Sequence, residues 1–497
     1  MSIEWSDTRV AAACFLGTLV VYLSNATIHP INADTVPNAY LPASVLGDGD
    51  LAFSPFEAPG LFLWKAKGAD GREARVFVTR WPQRPPGSSK TYAEHYREGR
   101  LEFERARYYV VPTIRVRAQT GEPIYASVFG AGPGLTALPL FALAHAAGVR
   151  LWDDPAAVWG LAKLSAALLS AASVAFIYLA AAALAPRPQA LLVAGAYALG
   201  TCVWAISSQA LWQQTPEIFF LALGLCCLLR IPGSWWRGAA GGGALAAAAA
   251  CRPTAAAVVV VTAGWLLLSD RRAFAAFAAA ALPFAAATFV YNAYYFGSPL
   301  EFGQLLAGQR MARYKTGSDQ LWQTPLWLGA AGLLASPSRG LLIYSPFLAA
   351  AFAGAVAAWR DPRWRALRFL TVAVPLLWLP GFLWFDWWGG FAYGYRPILD
   401  SVPLLALLYL PVLAPILERR AWRAVFVAAL AWSVFVQALG AFAYSPAGWN
   451  AKLGDQAASI DLPAYRSRLW SFSDWQIGYL ITHFRRARSE RADLTIQ

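Results

Sequence analysis

GPGLTALPLFALAHAAG, residues 132–148, decides how the rest of the chain is threaded. If this stretch crosses a bilayer, every later loop changes sides; if it lies along the surface, none does. Arginine placement arbitrates, because short loops rich in Lys and Arg stay in the cytoplasm. When residues 132–148 do not span, the loops holding Arg187, Arg230 and Arg237, Arg271 and Arg272, Arg360 to Arg368, and Arg419 to Arg423 all fall on the side of Arg9. When they do span, every one of those loops lands outside. The stretch is therefore expected to be a helix at the outer interface.

Working outward, the 497 residues are 58% apolar or aromatic and 14% charged, with mean hydropathy +0.42. That charge content is too low for a soluble globule and the hydropathy too high for a disordered chain. The five cysteines, Cys14, Cys202, Cys226, Cys227 and Cys251, sit in or beside apolar runs with no zinc or disulfide spacing, so they read as packing residues. The excess of 41 Lys and Arg over 28 Asp and Glu is not a nucleic-acid face, because the arginines punctuate hydrophobic stretches; no nucleic-acid partner is expected, and membrane lipid is.

Further apolar runs occupy 10–28, 156–185, 189–206, 216–229, 238–250, 254–269, 273–291, 340–358, 366–384, 397–417 and 424–444. Near Glu4 and Asp7 the first is not flanked like a signal peptide and is expected to be retained. The two short runs meeting at Arg252-Pro253 both count, since merging them breaks the arginine pattern. The expectation is an all-α polytopic membrane protein of about eleven transmembrane helices, at 1.5 Å per residue across some 30 Å. Residues 1–28 form the first transmembrane helix, 29–155 a large extracytoplasmic loop with the interfacial helix 132–148, 156–444 the transmembrane bundle, and 445–497 an extracytoplasmic tail. Polar material is thus concentrated outside, at the first loop, 291–339, 384–396 and the tail. Inside the runs Glu217 stands out as acidic, and this scarcity argues against a proton-coupled transporter.

The first loop opens with Asp34, followed by Pro37, Tyr40-Leu41-Pro42, Ser44-Val45-Leu46 and Asp48-Gly49-Asp50-Leu51. A carboxylate a few residues beyond a helix end is held at a fixed height above the membrane, which suits a general base for chemistry at headgroup level. It equally suits an N-cap for the helix that follows. The Asp48-Gly49-Asp50 pair reads first as a solvated turn, and His29, His95, His145 and His483 share no ligand spacing. No metal or other cofactor is expected.

The Asp34-to-Leu51 stretch and Tyr125-Ala126-Ser127-Val128-Phe129-Gly130-Ala131-Gly132-Pro133-Gly134-Leu135 resemble the GT-C superfamily of membrane glycosyltransferases, in particular the bacterial group related to protein O-mannosyltransferases and lipid A aminoarabinose transferases. Further segments are similar in the same order: Leu211-Trp212-Gln213-Gln214, Tyr291-Asn292 with Phe296-Gly297-Ser298-Pro299, Arg339-Gly340-Leu341 with Tyr344-Ser345-Pro346, and Trp388-Gly389-Gly390 with Tyr393-Gly394-Tyr395-Arg396-Pro397. The resemblance implies transfer of a sugar, with inversion, from a polyprenyl-phosphate donor to a glycan, lipid or protein acceptor at the outer face of the cell (inner) membrane. It implies Asp34 as base, without the second acid that relatives often carry beside it, and Gln214 where many relatives have His.

The phosphate needs cations, and arginine's planar paired donors fit it better than lysine. Arg252 and Arg396 both fall at outer helix ends, although a snorkelling role suits Arg252 as well. Tyr395, Glu217, Gln213 and Asp50 complete the expected substrate-binding set, with the interfacial aromatic belt as the other role for Tyr393 and Tyr395. Residues 72–117, with Tyr92, Tyr96, Tyr108 and Tyr109, read as a helix and then a hairpin turning at 119–122 that shapes the acceptor side. An oligosaccharide ligase, a lipid or solute transporter and a lipid-binding non-enzyme are the competing classes; only the transferase requires Asp34.

Overall fold

The computed structural model describes residues 6–25, 32–54, 59–67, 73–78, 83–85, 87–103, 113–116, 124–231, 233–446, 448–451 and 459–492. Helix dominates. In chain order the helices are α1 (Asp7–Leu23), α2 (Val36–Gly47), α3 (Tyr92–Arg97), α4 (Gly132–Ala146), α5 (Pro155–Ala182), α6 (Arg187–Leu199), α7 (Gln214–Arg230), α8 (Ser234–Cys251), α9 (Ala256–Ser269) and α10 (Arg271–Phe296). They continue with α11 (Gly303–Thr316), α12 (Leu326–Ala335), α13 (Leu341–Tyr344), α14 (Ala349–Arg360), α15 (Arg368–Leu383), α16 (Val402–Leu408), α17 (Leu410–Glu418), α18 (Arg420–Ala443), α19 (Gln476–Thr482) and α20 (Phe484–Ala492).

Among the described residues, Pro155–Ala182, Arg271–Phe296, Pro362–Leu383 and Arg420–Ala443 are single segments long and apolar enough to cross a membrane, and the pair around Tyr409, bent by 58°, makes a fifth. The other expected runs are interrupted. Helix α6 stops at Gly200, a single π-helical turn (Val203–Ser207) follows, and the chain re-enters helix only at Gln214. The 340–358 run breaks at Ser345-Pro346, where proline lacks the amide that helix continuation requires. Hydropathy averages across such breaks, which is why the sequence promises longer uninterrupted segments than form.

Ion pairs tie helix ends into two groups. Asp7 accepts from Arg187 at 2.8 Å and lies 3.3 Å from Arg230, while Arg237 meets Asp270 at 2.5 Å. Asp270 also caps α10 by accepting from the Ala273 amide. At the opposite helix ends, Arg396 meets Asp34 and Arg252 meets Asp400. Asp7 thus joins the ends of α6 and α7 that carry Arg187 and Arg230, and Arg237 with Asp270 forms a separate pair.

Small residues bring α8 against α10. A Cβ added to Gly238 would lie 2.1 Å from the Ala273 carbonyl oxygen, and one added to Gly242 2.3 Å from that of Phe277. This is the small-xxx-small spacing that lets helix backbones touch, and with lipid on the outside such packing is a main source of helix association. Gly242→Val must push the backbones apart. We expect destabilisation of about 1–3 kcal/mol or more, read as a lower denaturant midpoint for the detergent-solubilised protein.

The 132–148 stretch is the helix α4. Its first turn abuts the backbone of Ala250 at the end of α8, and Gly134 sits against Leu41 of α2. This places it against α2 and against the end of α8 that runs into Arg252. Residues 52–127 hold more strand than expected: a β1–β6–β5 antiparallel sheet (Ala52–Phe53, Ile124–Ser127, Thr113–Val116) and a β3–β2–β4 antiparallel sheet (Glu73–Phe77, Leu63–Lys67, Leu101–Phe103). The expected helix is the short α3, started by a capping box between Thr91 and Glu94. The 113–116 and 124–127 strands do pair, while Tyr108, Tyr109 and the turn at 119–122 lie outside the described residues.

Candidate functional site

Asp34 lies in a single 3-10 turn, Ala33–Thr35, that precedes α2. Asn32 fixes the turn: its side chain accepts from the Asp34 amide at 3.0 Å and donates to the Phe391 carbonyl at 3.3 Å. Thr35 Oγ1 donates back to the Asn32 carbonyl at 2.7 Å. Asn32 caps this turn, α2 begins at Thr35 without a side-chain cap, and Asp34 caps neither. The Asp34 carboxylate points elsewhere, to Arg396 Nη1 at 2.9 Å.

Arg396 heads the turn that enters α16 and is only 12% exposed, against 34% for Asp34, so the acid is the half of the pair that solvent or a ligand reaches. Its Nη2 donates to the Gly389 carbonyl at 3.0 Å, and its guanidinium lies 4.5 Å from the centre of the Trp212 ring, a cation–π distance. Nε is buried with no hydrogen-bond partner among the described residues. The preceding loop turns through Gly389 and Gly390 at φ of 70° and 58°, the left-handed region that glycine enters without a Cβ clash.

That loop is anchored from beneath by Arg339, whose guanidinium is wholly buried. It donates to the carbonyls of Trp388 (2.8 Å), Ser338 (2.7 Å) and Gly390 (3.2 Å), to Asn450 Oδ1 (2.7 Å) and to Gln476 Oε1 (3.3 Å). Gln476 in turn accepts from the Tyr344 hydroxyl and the Gly394 amide and donates to the Ala392 carbonyl. The residues after α18 are therefore a structural part of the Arg396 loop.

On the loop's other side Lys315 binds the carboxylates of Asp386 and Asp461, the latter at 2.9 Å. Burial pulls the Lys315 ammonium down, but the two carboxylates outweigh it and its pKa stands above the ordinary lysine value. A raised lysine pKa means stabilisation that is complete below the unfolded value and lost only as pH climbs through the higher folded one, so this clasp is closed across neutral pH. Lys315→Met would leave two facing acids uncompensated. We expect a lower melting temperature at pH 7 for that variant, with α11 becoming more open to protease.

Arg252 is spoken for. Its Nη1 meets the Asp400 carboxylate and lies 3.7 Å from Glu217 Oε2, its Nη2 donates to the Pro397 carbonyl at 3.1 Å, and Thr254 Oγ1 bridges Asp400 (3.1 Å) and Glu217 (3.4 Å). Where the sequence suggests a phosphate clamp or a snorkelling arginine, it forms a buried tie between the α8–α9 turn and the Arg396 turn. Asp400, a second acid within the 397–417 run beside Glu217, is the partner that the sequence reading passes over.

Tyr395 is fully buried. Its hydroxyl contacts Ser345 Oγ at 2.8 Å and accepts from the Cys202 amide at 3.1 Å, so the side chain packs inside the bundle. Asp50 accepts from the Tyr295 hydroxyl at 2.7 Å, and Asp48 from Trp152 Nε1 at 3.1 Å, so the two carboxylates of that turn have different partners. Gln213 is buried next to Trp212, its Oε1 without a partner among the described residues. Asp34, Arg396, Trp212 and Gln213 are thus drawn together, with Glu217 and Arg252 in the adjoining ion cluster. No group of three or more His, Cys, Asp or Glu arranged for a metal occurs among the described residues.

No protein-family model matches the chain, and the curated proteins searched gave no match.

Proposed function

We propose that this chain is an integral membrane glycosyltransferase of about eleven spans, several built from broken helices, with its site on the extracytoplasmic side of the inner membrane. It takes a sugar from a polyprenyl-phosphate donor. The observation that carries the reading is the Asp34–Arg396 pair: a partly open carboxylate just past α1 and a guanidinium from 362 positions away in sequence, 2.9 Å apart.

The Asp34 carboxylate takes the proton of the acceptor hydroxyl as that oxygen bonds to the anomeric carbon. The carbon–phosphate oxygen bond breaks on the opposite face, its electron pair leaves with the polyprenyl phosphate, and the configuration inverts. Arg396 uses one donor on Asp34 and one on Gly389, and its unpartnered Nε supports a role toward the leaving phosphate. The two groups need opposite charges side by side, and one ion pair supplies both.

The test is sugar release from a labelled polyprenyl-phosphate sugar by the purified protein, compared with Asp34→Asn; a folded Asp34→Asn protein transferring at the parent rate ends the reading. A second measurement addresses the cation. Arg396→Ala is expected to weaken polyprenyl-phosphate binding more than Arg396→Lys, because lysine keeps the charge but not the paired donors. Equal losses for the two would remove the clamp.

A further inference from the structure

The starts of α8 and α10 lie side by side, at the end of α8 opposite to Arg252. Gly238 meets the Ala273 carbonyl across that contact, which brings the backbone of Arg237 next to Arg271 and Arg272. Asp270 is already spent there: one oxygen takes Arg237 at 2.5 Å and the other caps α10 at the Ala273 amide. Arg271 and Arg272 are both exposed, and neither meets an acid among the described residues. Three guanidinium groups against one carboxylate leave two positive charges unmatched. Large apolar side chains stand in the open at the same place. Trp235 and Trp236 precede Arg237, Leu267 and Leu268 precede Asp270, and Trp236 is 70% exposed and Leu268 90%.

We infer that the paired starts of α8 and α10 bind an anionic phospholipid, with its phosphate on Arg271 and Arg272 and its chains along the exposed Leu267 and Leu268 edge. Arginine placement alone records only which side of a bilayer a turn occupies. Unmatched charge beside bare indole and leucine says more, because water favours exposure of the first and opposes exposure of the second. An anionic lipid answers both: a phosphodiester offers the oxygens that guanidinium donors take in pairs, tryptophan settles at headgroup depth, and hydrocarbon covers the leucines. A soluble phosphate would leave the apolar edge wet, and a zwitterionic lipid would leave the charge unmatched. The site is independent of the transferase reading, since it shares no residue with the Asp34–Arg396 pair.

A ligand that binds only the folded state raises the melting temperature, so the lipid concentration giving half the full rise reports affinity. The full chain in an uncharged detergent is to be melted with increasing phosphatidylglycerol, phosphatidylcholine or glycerol phosphate. One basic side chain at an anionic surface is worth about fivefold in affinity, so Arg271→Gln combined with Arg272→Gln is expected to move the phosphatidylglycerol midpoint up about tenfold or more. Trp236→Ala is expected to move it the same way by a smaller factor, and Arg271→Lys with Arg272→Lys to keep most of the affinity, because the charge remains. Arg485→Gln with Arg488→Gln, the same loss of charge at exposed positions on α20, is expected to leave the midpoint within about twofold of the parent. A midpoint as low for phosphatidylcholine, an equal rise with glycerol phosphate, an unchanged midpoint in the 271/272 glutamine variant, or an equal loss in the α20 variant would each overturn the site.

Discussion

Under the proposed transferase function, Asp34→Asn is expected to slow sugar transfer by roughly 10²- to 10⁴-fold, the usual worth of a positioned general base. The substitution keeps the shape and removes the charge and the basic lone pair. Its structural cost is small: the turn is held by Asn32 and Thr35 through bonds to backbone atoms that the change does not touch. Arg396 loses a partner at 2.9 Å but keeps the Gly389 carbonyl and the Trp212 ring. The melting temperature should therefore shift little while turnover collapses. Donor binding should persist or strengthen, since the guanidinium no longer shares its charge with an acid. A variant that lost donor affinity and kept its rate would invert the assigned roles.

Arg339→Met is expected to destabilise the protein by about 3–5 kcal/mol, because truncating one side of a buried, charged hydrogen-bond network strands every group on the other. Five acceptors each lose one donor at once, namely three carbonyls, Asn450 and Gln476, although Gln476 keeps those from Tyr344 and Gly394. The damage should be local before it is global. Hydrogen exchange is expected to rise first in residues 386–396 and 449–451, the segments that the guanidinium joins, and activity should fall because Arg396 loses its fixed approach to Asp34. Arg339→Lys should rescue only part, since three donors on a flexible stem cannot serve five acceptors in a plane. If exchange rose uniformly instead, the anchoring role would be wrong.

Several of these features were legible in the chain itself. Asp34 and Arg396 each stand out one at a time, the acid by its height above α1 and the arginine by the glycines before it. Their pairing was not legible, because proximity across 362 positions is decided by how α1 and α16 pack and not by local pattern. The contact between Arg252 and Asp400 is not legible either, since that acid lies inside an otherwise apolar run. Tyr395 sits among candidate ligand contacts in sequence yet is swallowed by the core through Ser345 and Cys202. The breaks at Gly200 and Ser345-Pro346 are blurred by apolar averaging, and the six strands among the described residues of 52–127 lie in short, mixed-charge segments whose alternation is too brief to read.

The triad at the far end of α1 has a consequence for biosynthesis. Asp7 leaves the ribosome long before Arg187 and Arg230, which follow it by 180 and 223 positions. Until both have been made, the acid at the start of the first helix lacks these two partners. Closure of the three-way contact therefore waits on residues made much later, and it ties the start of α1 to the start of α6 and the end of α7.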